Sequence, residues 1–461
     1  MKISPQSLLT RSLRESPRGE KAARIMAASL DAVDPVRLVR RRLAREGSTL
    51  TFQNDLFDLG EYSRIYLLAV GKAALPMGLS AGELLGGFLT KGFILSKTGN
   101  PALPDSLADR VTFHRGGHPV PTEDGAYATS RILQELQSLE ENDLLITLIS
   151  GGSSALFCLP PEGISLSDLQ LTNQILLGCG ADILEINTIR KHLSRVKGGQ
   201  LTRIVQPARV FTLILSDVMG SQIDMIGSGP TAPDPSTFSG ALAVVEKYNL
   251  GDELPAAVLD RLKAGSEGEL AETPKPGDPC FKKVSNHILA ENRDALLAGA
   301  AQAEREGFNT VILPAPMAGE ASRTGLEMAE KLLAAARKDG SPGRPTCLLA
   351  GGETTVNLGS GKPVGLGGRN LELALSTLPE LDGLEDCALI ALATDGEDGM
   401  TNAAGAVVTG QSASRCHEID LDPADFLRRH DSYTLFKALD DLLLPGPTGT
   451  NVNDLCFLFA F

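Results

Sequence analysis

Tryptophan is absent from this 461-residue chain, and aromatic residues make up only 4% of it. So few rings leave no set of stacking platforms for single-stranded nucleic acid. Positive charge is also short: 43 Lys and Arg stand against 57 Asp and Glu, a net charge of −14 at pH 7. Such a surface repels a phosphate backbone, so nucleic acid is not an expected partner. The seven cysteines are scattered and never spaced C-x-x-C. That excludes a zinc ribbon or a disulfide framework and predicts a reducing, cytoplasmic setting. No uninterrupted apolar run reaches the roughly 18 residues of a membrane helix, and "MKISPQSLLTRSLRESPRGEKAARIM" lacks the apolar core of a secretory signal. Neither the Walker A pattern G-x-x-x-x-G-K-[ST] nor the protein-kinase motif set occurs, so phosphoryl transfer by either large class is excluded.

What is present is an alternating pattern. Residues up to Arg45 have helical apolar spacing at Ile25, Leu30, Val33, Val36, Val39 and Leu43, broken at Pro35. Short apolar runs then alternate with helix-like segments: "RIYLLAVGKAA", "KGFILSKTG", "DLLITLISGGSSAL", "RVFTLILSDVMGS", "TCLLAGGETTV", "ALIALATDGEDG" and "DLCFLFAF". Continuous apolar strands between helices predict an α/β fold of mainly parallel sheets covered on both faces. The length predicts two domains, placed at residues 1–240 and 241–461. The segment Lys263–Lys283, rich in Pro, Gly and charge, reads as a linker, and the last strand is free to return to the first domain.

In open parallel sheets ligands bind beyond the carboxyl ends of the strands, and the polar turns gather there. "AVGKAA" places Gly71 and Lys72 at a strand end before a helix, where a lysine offers charge to a phosphate or carboxylate. "LISGGSSA" brings Ser150, Gly151, Gly152, Ser153 and Ser154, a turn whose N–H groups suit an anion. It also resembles a G-x-S-x-G elbow with Ser153 as nucleophile, but Pro160 and Pro161 cut off the helix an elbow needs. "NTIRKHLSRVKGGQL" carries Asn187, Arg190, Lys191 and Lys197; helical spacing puts Arg190, Ser194 and Lys197 on one face as a cationic wall. Asp217 closes another strand, followed by a loop with Gly229. "GSGPTA" in that loop satisfies G-x-G-x-x-A, yet it starts ten residues past the strand end at Asp217 and contains a proline, so a nicotinamide site is rejected. "LATDGEDG" offers Asp395, Glu397 and Asp398 as oxygen ligands suited to Mg²⁺. Gly351, Gly352, Glu353, Lys362, Gly368, Arg369 and Asn370 belong to "LAGGETTVNLGSGKPVGLGGRN", where bare backbone predicts close approach of a ligand.

Taken in order, "AVGKAA", "GGHPVPTEDG", "SGGSSAL", "NTIRKHLSRVKGGQL", "LSDVMGSQIDMIGSGPTAPDPSTF", "ILAENRDAL", "LAGGETTVNLGSGKPVGLGGRNLELAL", "ATDGEDGMTNAAGAVV" and "GPTGTNVNDLCF" resemble the class II glycerate kinases with their MOFRL domain. The resemblance covers nearly the whole chain. It implies two three-layer α/β/α domains with the active site in the cleft between them. It also implies ATP- and Mg²⁺-dependent phosphorylation of D-glycerate, generally at the 2-hydroxyl. Lys72 and Arg369 carry over as catalytic cations, with Asp217 beside them. Asp217, Asp395 and Asp398 are the candidate metal ligands, and the glycine-rich run would admit phosphate oxygens to the backbone. A homodimer is left open. The rival readings are an NAD(P)H-dependent hydroxypyruvate reductase and a non-enzymatic nucleotide- or metabolite-binding protein.

Overall fold

The computed structural model describes residues 3–97, 102–337, 343–359 and 364–461. Packing divides the chain into two compact units: an inserted unit of residues 38–289, and a split unit that combines residues 1–37 with 290–461.

The inserted unit opens with a three-stranded antiparallel sheet, β1 (Leu43–Glu46), β2 (Thr49–Phe52) and β3 (Asp55–Asp58). The helix Pro35–Arg42 therefore stops short of Arg45, and Leu43 belongs to a strand. The main sheet follows: β4 (Arg64–Val70), β5 (Lys91–Ser96), β6 (Val111–Arg115), β7 (Asp143–Ser150), β8 (Arg209–Leu215) and β9 (Val284–Ala290). Its order is β6-β5-β4-β7-β8-β9, and each of the four pairs from β6 to β8 is parallel. Every residue of β7 is buried, as its largely apolar sequence requires of a strand covered on both faces. From β4 the chain winds outward to β5, and from β7 it winds the opposite way to β8. The two central strands thus bracket a topological switch point, where α/β sheets open a crevice at their carboxyl ends.

The helices Phe238–Lys247 and Ala256–Ser266 stay with this unit. Phe238, Val258 and Leu262 are buried in one cluster with Leu176, Ile186 and Ile189. Because β9 then joins the main sheet, the change of unit falls at residues 289 and 290 rather than near residue 240, and Lys263–Lys283 lies inside the inserted unit.

The split unit holds the remaining strands: β10 (Asn309–Ile312), β11 (Met317–Glu320), β12 (Thr346–Thr355), β13 (Cys387–Ala393), β14 (Gly405–Thr409), β15 (Leu442–Leu443) and β16 (Asp454–Ala460). The order is β10-β12-β16-β13-β14-β15, with β11 also on β12. Here the expectation of a mainly parallel sheet gives way. β10 and β11 run parallel to β12, but β16 inserts antiparallel between β12 and β13, and β14 and β15 continue antiparallel. The last strand does not return to the other unit; it is the centre of this sheet, and all seven of its residues are buried. The helices Gly19–Ala32 and Ala321–Ala336 bury Ile25 and Leu332 completely.

Candidate active site

In the inserted unit, the turns after β4 and β7 are tied together. Lys72 N–H donates to the Gly151 carbonyl at 2.8 Å, and Ala73 N–H donates to Ser150 Oγ at 3.0 Å. Gly71 makes this possible, with φ at +122° and its backbone pressed against Ser150. Lys72 follows, half-buried, just before the helix Ala74–Leu85. Gly152 has φ +82°; a Cβ there would come within 2.9 Å of the His118 ring and 3.3 Å of Lys72 Cγ. The imidazole of His118 and the stem of Lys72 therefore crowd the same glycine at the switch point.

The neighbouring residues mostly support this turn. Ser154 Oγ lies 2.9 Å from Ser228 Oγ, which donates to Asn187 Oδ1 at 2.9 Å. Ser153 Oγ is buried with no hydrogen-bond partner among the described residues, facing Gly227. The helix it starts is only Ser153–Leu156, so the hydrolase elbow is absent, as the prolines foretold. Lys197 is buried and donates to the carbonyls of Ser154 and Phe157. Burial brings its ammonium down to about 8.

The expected cationic wall does not form. The helix Ile183–His192 ends before Ser194 and Lys197, so the helical face drawn through Arg190, Ser194 and Lys197 breaks at its last turn. Lys191, itself 3% exposed, bridges Asp224 at 3.0 Å and Asp234 at 3.2 Å. Its charge is balanced by the buried carboxylate of Asp234 and the half-buried one of Asp224. Arg190 Nε donates to Asn173 Oδ1 at 2.5 Å. Gly229 is required by contact, since a Cβ would come 2.8 Å from the Asp224 backbone. Asp217, half-buried, stands just beyond β8.

The second cluster lies wholly in the split unit. Arg369 begins the helix Arg369–Ser376, reached from the glycine-rich segment. Its Nε and Nη2 donate to the two oxygens of Asp454 at 2.6 and 3.1 Å, and its Nη1 donates to Glu353 at 2.7 Å. Asp454 opens β16, and its side chain is only 2% exposed. Burial pushes this carboxyl above the ordinary range, against the charge and hydrogen bonds of Arg369. Because β16 is antiparallel to β12 and β13, its first residue sits across from Gly352 and from Ala393, toward the carboxyl ends of those strands.

Asp398 is engaged by backbone N–H groups. Its Oδ2 accepts Leu371 N–H at 2.8 Å and its Oδ1 accepts Asn370 N–H at 3.2 Å, capping the helix that carries Arg369. Burial pushes its carboxyl up to about 7. Gly368 is bare because a Cβ there would strike Asp398. Gly351 and Gly352 are likewise bare because protein atoms fill the space of a side chain. They lie within β12, where a Cβ would come 1.8 Å from Asn292 Oδ1 and 2.1 Å from the Met317 carbonyl. Lys362 lies outside the described residues. Among the described residues no three Asp, Glu, His or Cys side chains gather as a metal cluster. Asp395 remains half-buried just after β13.

Three side chains with evident roles had no assignment from sequence: Asp454, Asn292 and His118. Each sits in a motif already noted, "NVNDLCF", "ILAENRDAL" and "GGHPVP". An acidic residue opening an apolar strand was the one available signal for Asp454.

The comparisons with known proteins agree along the chain. A family described as a domain of unknown function (DUF4147) matches residues 21–263, and the MOFRL family matches residues 346–454. The D-glycerate 2-kinase of Thermotoga maritima is 39% identical over 94% of this chain and 96% of its own length. An Agrobacterium vitis protein provisionally named a hydroxypyruvate reductase is 40% identical over 85% of this chain and 86% of its own. The crystal structure of glycerate kinase from Thermotoga maritima superposes with a TM-score of 0.82 at 38% identity, covering 95% of this chain and 98% of that one. No described helix is long and apolar enough to cross a membrane. With two α/β units, a lysine at the switch point of one and a clamped arginine at the strand ends of the other, the chain belongs to the glycerate kinase family.

Proposed function

We propose that the protein transfers the γ-phosphoryl group of ATP to D-glycerate, at the 2-hydroxyl, giving 2-phosphoglycerate. The observation that carries this reading is the pair of cations, Lys72 and Arg369, each set at a strand end by a built turn or a buried carboxylate. Phosphoryl transfer asks a protein chiefly for positioning and charge stabilisation. Lys72 and Arg369 take the transferring phosphoryl group and the glycerate carboxylate, and arginine's planar fork suits either anion. Asp217 orients the substrate hydroxyl.

A divalent ion fits what remains of the donor set. Mg²⁺ uses one or two carboxylates with substrate phosphates and water rather than an all-protein cage. Asp395 is the residue that would hold it, since Asp217 serves the hydroxyl, Asp398 caps a helix and Asp454 holds Arg369. Bound there, the ion would neutralise charge on the phosphate oxygens.

The reductase reading fails at its fingerprint candidate. Gly227–Ala232 lies in and after a short 3-10 turn, and the next helix begins only at Phe238, so no helix N-terminus meets a pyrophosphate there. Phosphorus NMR of a reaction with ATP, Mg²⁺ and D-glycerate should show the 2-phosphate resonance. Oxidation of NADH by hydroxypyruvate, with ATP untouched by glycerate, would overturn the kinase reading.

A further inference from the structure

Arg369 is gripped along one edge by a buried carboxylate. Among the described residues three of its five N–H groups are engaged: the Nε and Nη2 pair with Asp454, and one Nη1 hydrogen goes to Glu353. The two carboxylates differ in kind. The Asp454 side chain is 2% exposed, whereas Glu353 is 46% exposed and Arg369 itself 32%. A buried carboxylate gripping a guanidinium by two parallel bonds fixes the plane and direction of the group. A half-exposed one standing on the Nη1 side can be displaced by an incoming anion.

Asp454 is itself held. The Asn292 side-chain amide donates to the carbonyls of Val452 and Asp454 at 2.8 and 3.0 Å, pinning the backbone just before and at the start of β16. Asn292 Oδ1 is buried without a hydrogen-bond partner among the described residues and occupies the space that a side chain at residue 351 would need. Asn292 opens the helix Asn292–Arg305, so the chain of contacts runs from that helix through β16 to the guanidinium.

We infer that Asp454 is a positioning residue for the reaction: it clamps the Nε and Nη2 edge of Arg369 so that the Nη1 side faces the anionic substrate, with Asn292 locking the clamp's backbone. This rests on the kinase reading for its functional consequence, but not for its geometry. Misplacing a catalytic group by about 1 Å costs on the order of 100-fold in rate. Asp454→Asn should therefore lower kcat by about that factor while KM changes much less.

A structural role alone would not produce the following behaviour. Arg369→Ala leaves an empty clamp, so guanidinium chloride at tens of millimolar should enter it, restoring turnover at least tenfold and raising the melting temperature of this variant. The double variant Arg369→Ala, Asp454→Asn should show neither effect. Equal rescue of both variants, or no rise in melting temperature for Arg369→Ala, would overturn the assignment. Arg369→Lys guards against a misfolded double variant: it keeps the charge but loses the fork, and its kcat should fall nearly as far as that of Arg369→Ala. A kcat within threefold of the wild type would sink the clamp. Should the wild type fail to phosphorylate glycerate, the functional reading falls, and the melting experiment still decides on the clamp.

Discussion

Replacing Gly71 by alanine tests whether the turn that presents Lys72 depends on that glycine. At φ +122° an L residue is strained, at a cost of order 1–3 kcal/mol. The new Cβ would lie 2.3 Å from Ser150 Oγ and 2.5 Å from the Ser150 carbonyl oxygen, about 1 Å inside ordinary contact. The hydroxyl can rotate away only by giving up its bond from Ala73 N–H, a further loss of about 1 kcal/mol. The carbonyl cannot rotate, because Ser150 is the last residue of β7 and pairs with Leu215 of β8. Strain and the lost hydrogen bond together amount to about 2–4 kcal/mol, or a fall in melting temperature of about 10 °C for a unit of this size. Lys72 moves with the turn, so kcat should drop about 100-fold. Calorimetry and steady-state phosphorylation of glycerate would measure both. Gly251→Ala is the control: nothing lies within 4 Å of a Cβ there, and stability should stay within about 0.5 kcal/mol. If Gly71→Ala melts and turns over like that control, the turn tolerates a side chain and the reasoning fails.

Two further outcomes are expected. Lys72→Ala should lower kcat by about 10³-fold, as for loss of a transition-state cation, with the melting temperature held within a few degrees; an unchanged kcat would remove Lys72 from the reaction. Lys197→Met should alter the pH dependence of stability. The native ammonium loses its proton near pH 8 and the unfolded one near 10.5, so between those values the unfolded chain binds more protons. Wild-type stability relative to the variant should therefore rise with pH across that window, by up to about 3 kcal/mol in chemical denaturation. A flat difference from pH 7.5 to 10.5 would show that Lys197 titrates normally.

The strand-end turns were legible because local chemistry announces them. A lysine after an apolar run and a glycine, as at Lys72, or a pair of glycines before serines, as at Gly151 to Ser154, needs no knowledge of distant partners. What escaped depends on strand direction and on burial. Asp454 stands at the beginning of its strand, and the expectation of parallel sheets puts beginnings at the end away from ligands. Only the antiparallel insertion of β16 brings it beside Gly352 and Ala393. Asp398 and Lys191 were read as ligand-facing because their charge is visible in sequence; their partners, the N–H groups of Asn370 and Leu371 and the carboxylates of Asp224 and Asp234, are set by packing. The glycines of β12 were read as room for a ligand, yet the room at Gly351 and Gly352 is filled by Asn292 and by the backbone of β11.

The place of β16 also governs the order of assembly during synthesis. Residues 38–289 contain all the strands of their own main sheet up to the unit boundary, and domains generally fold as units, those nearer the N-terminus first, while the chain is being made. The helix Gly19–Ala32 emerges earlier still, yet its partner Asn292–Arg305 comes only after that insertion is complete. Until β16 is made, β12 and β13 have no strand between them, and each presents an apolar edge. The split unit thus spends most of translation waiting for its middle, and the same strand that completes the sheet delivers Asp454 to Arg369. Closure of that sheet and arrival of the arginine's anchor are one event, so an unfinished split unit cannot hold a finished clamp.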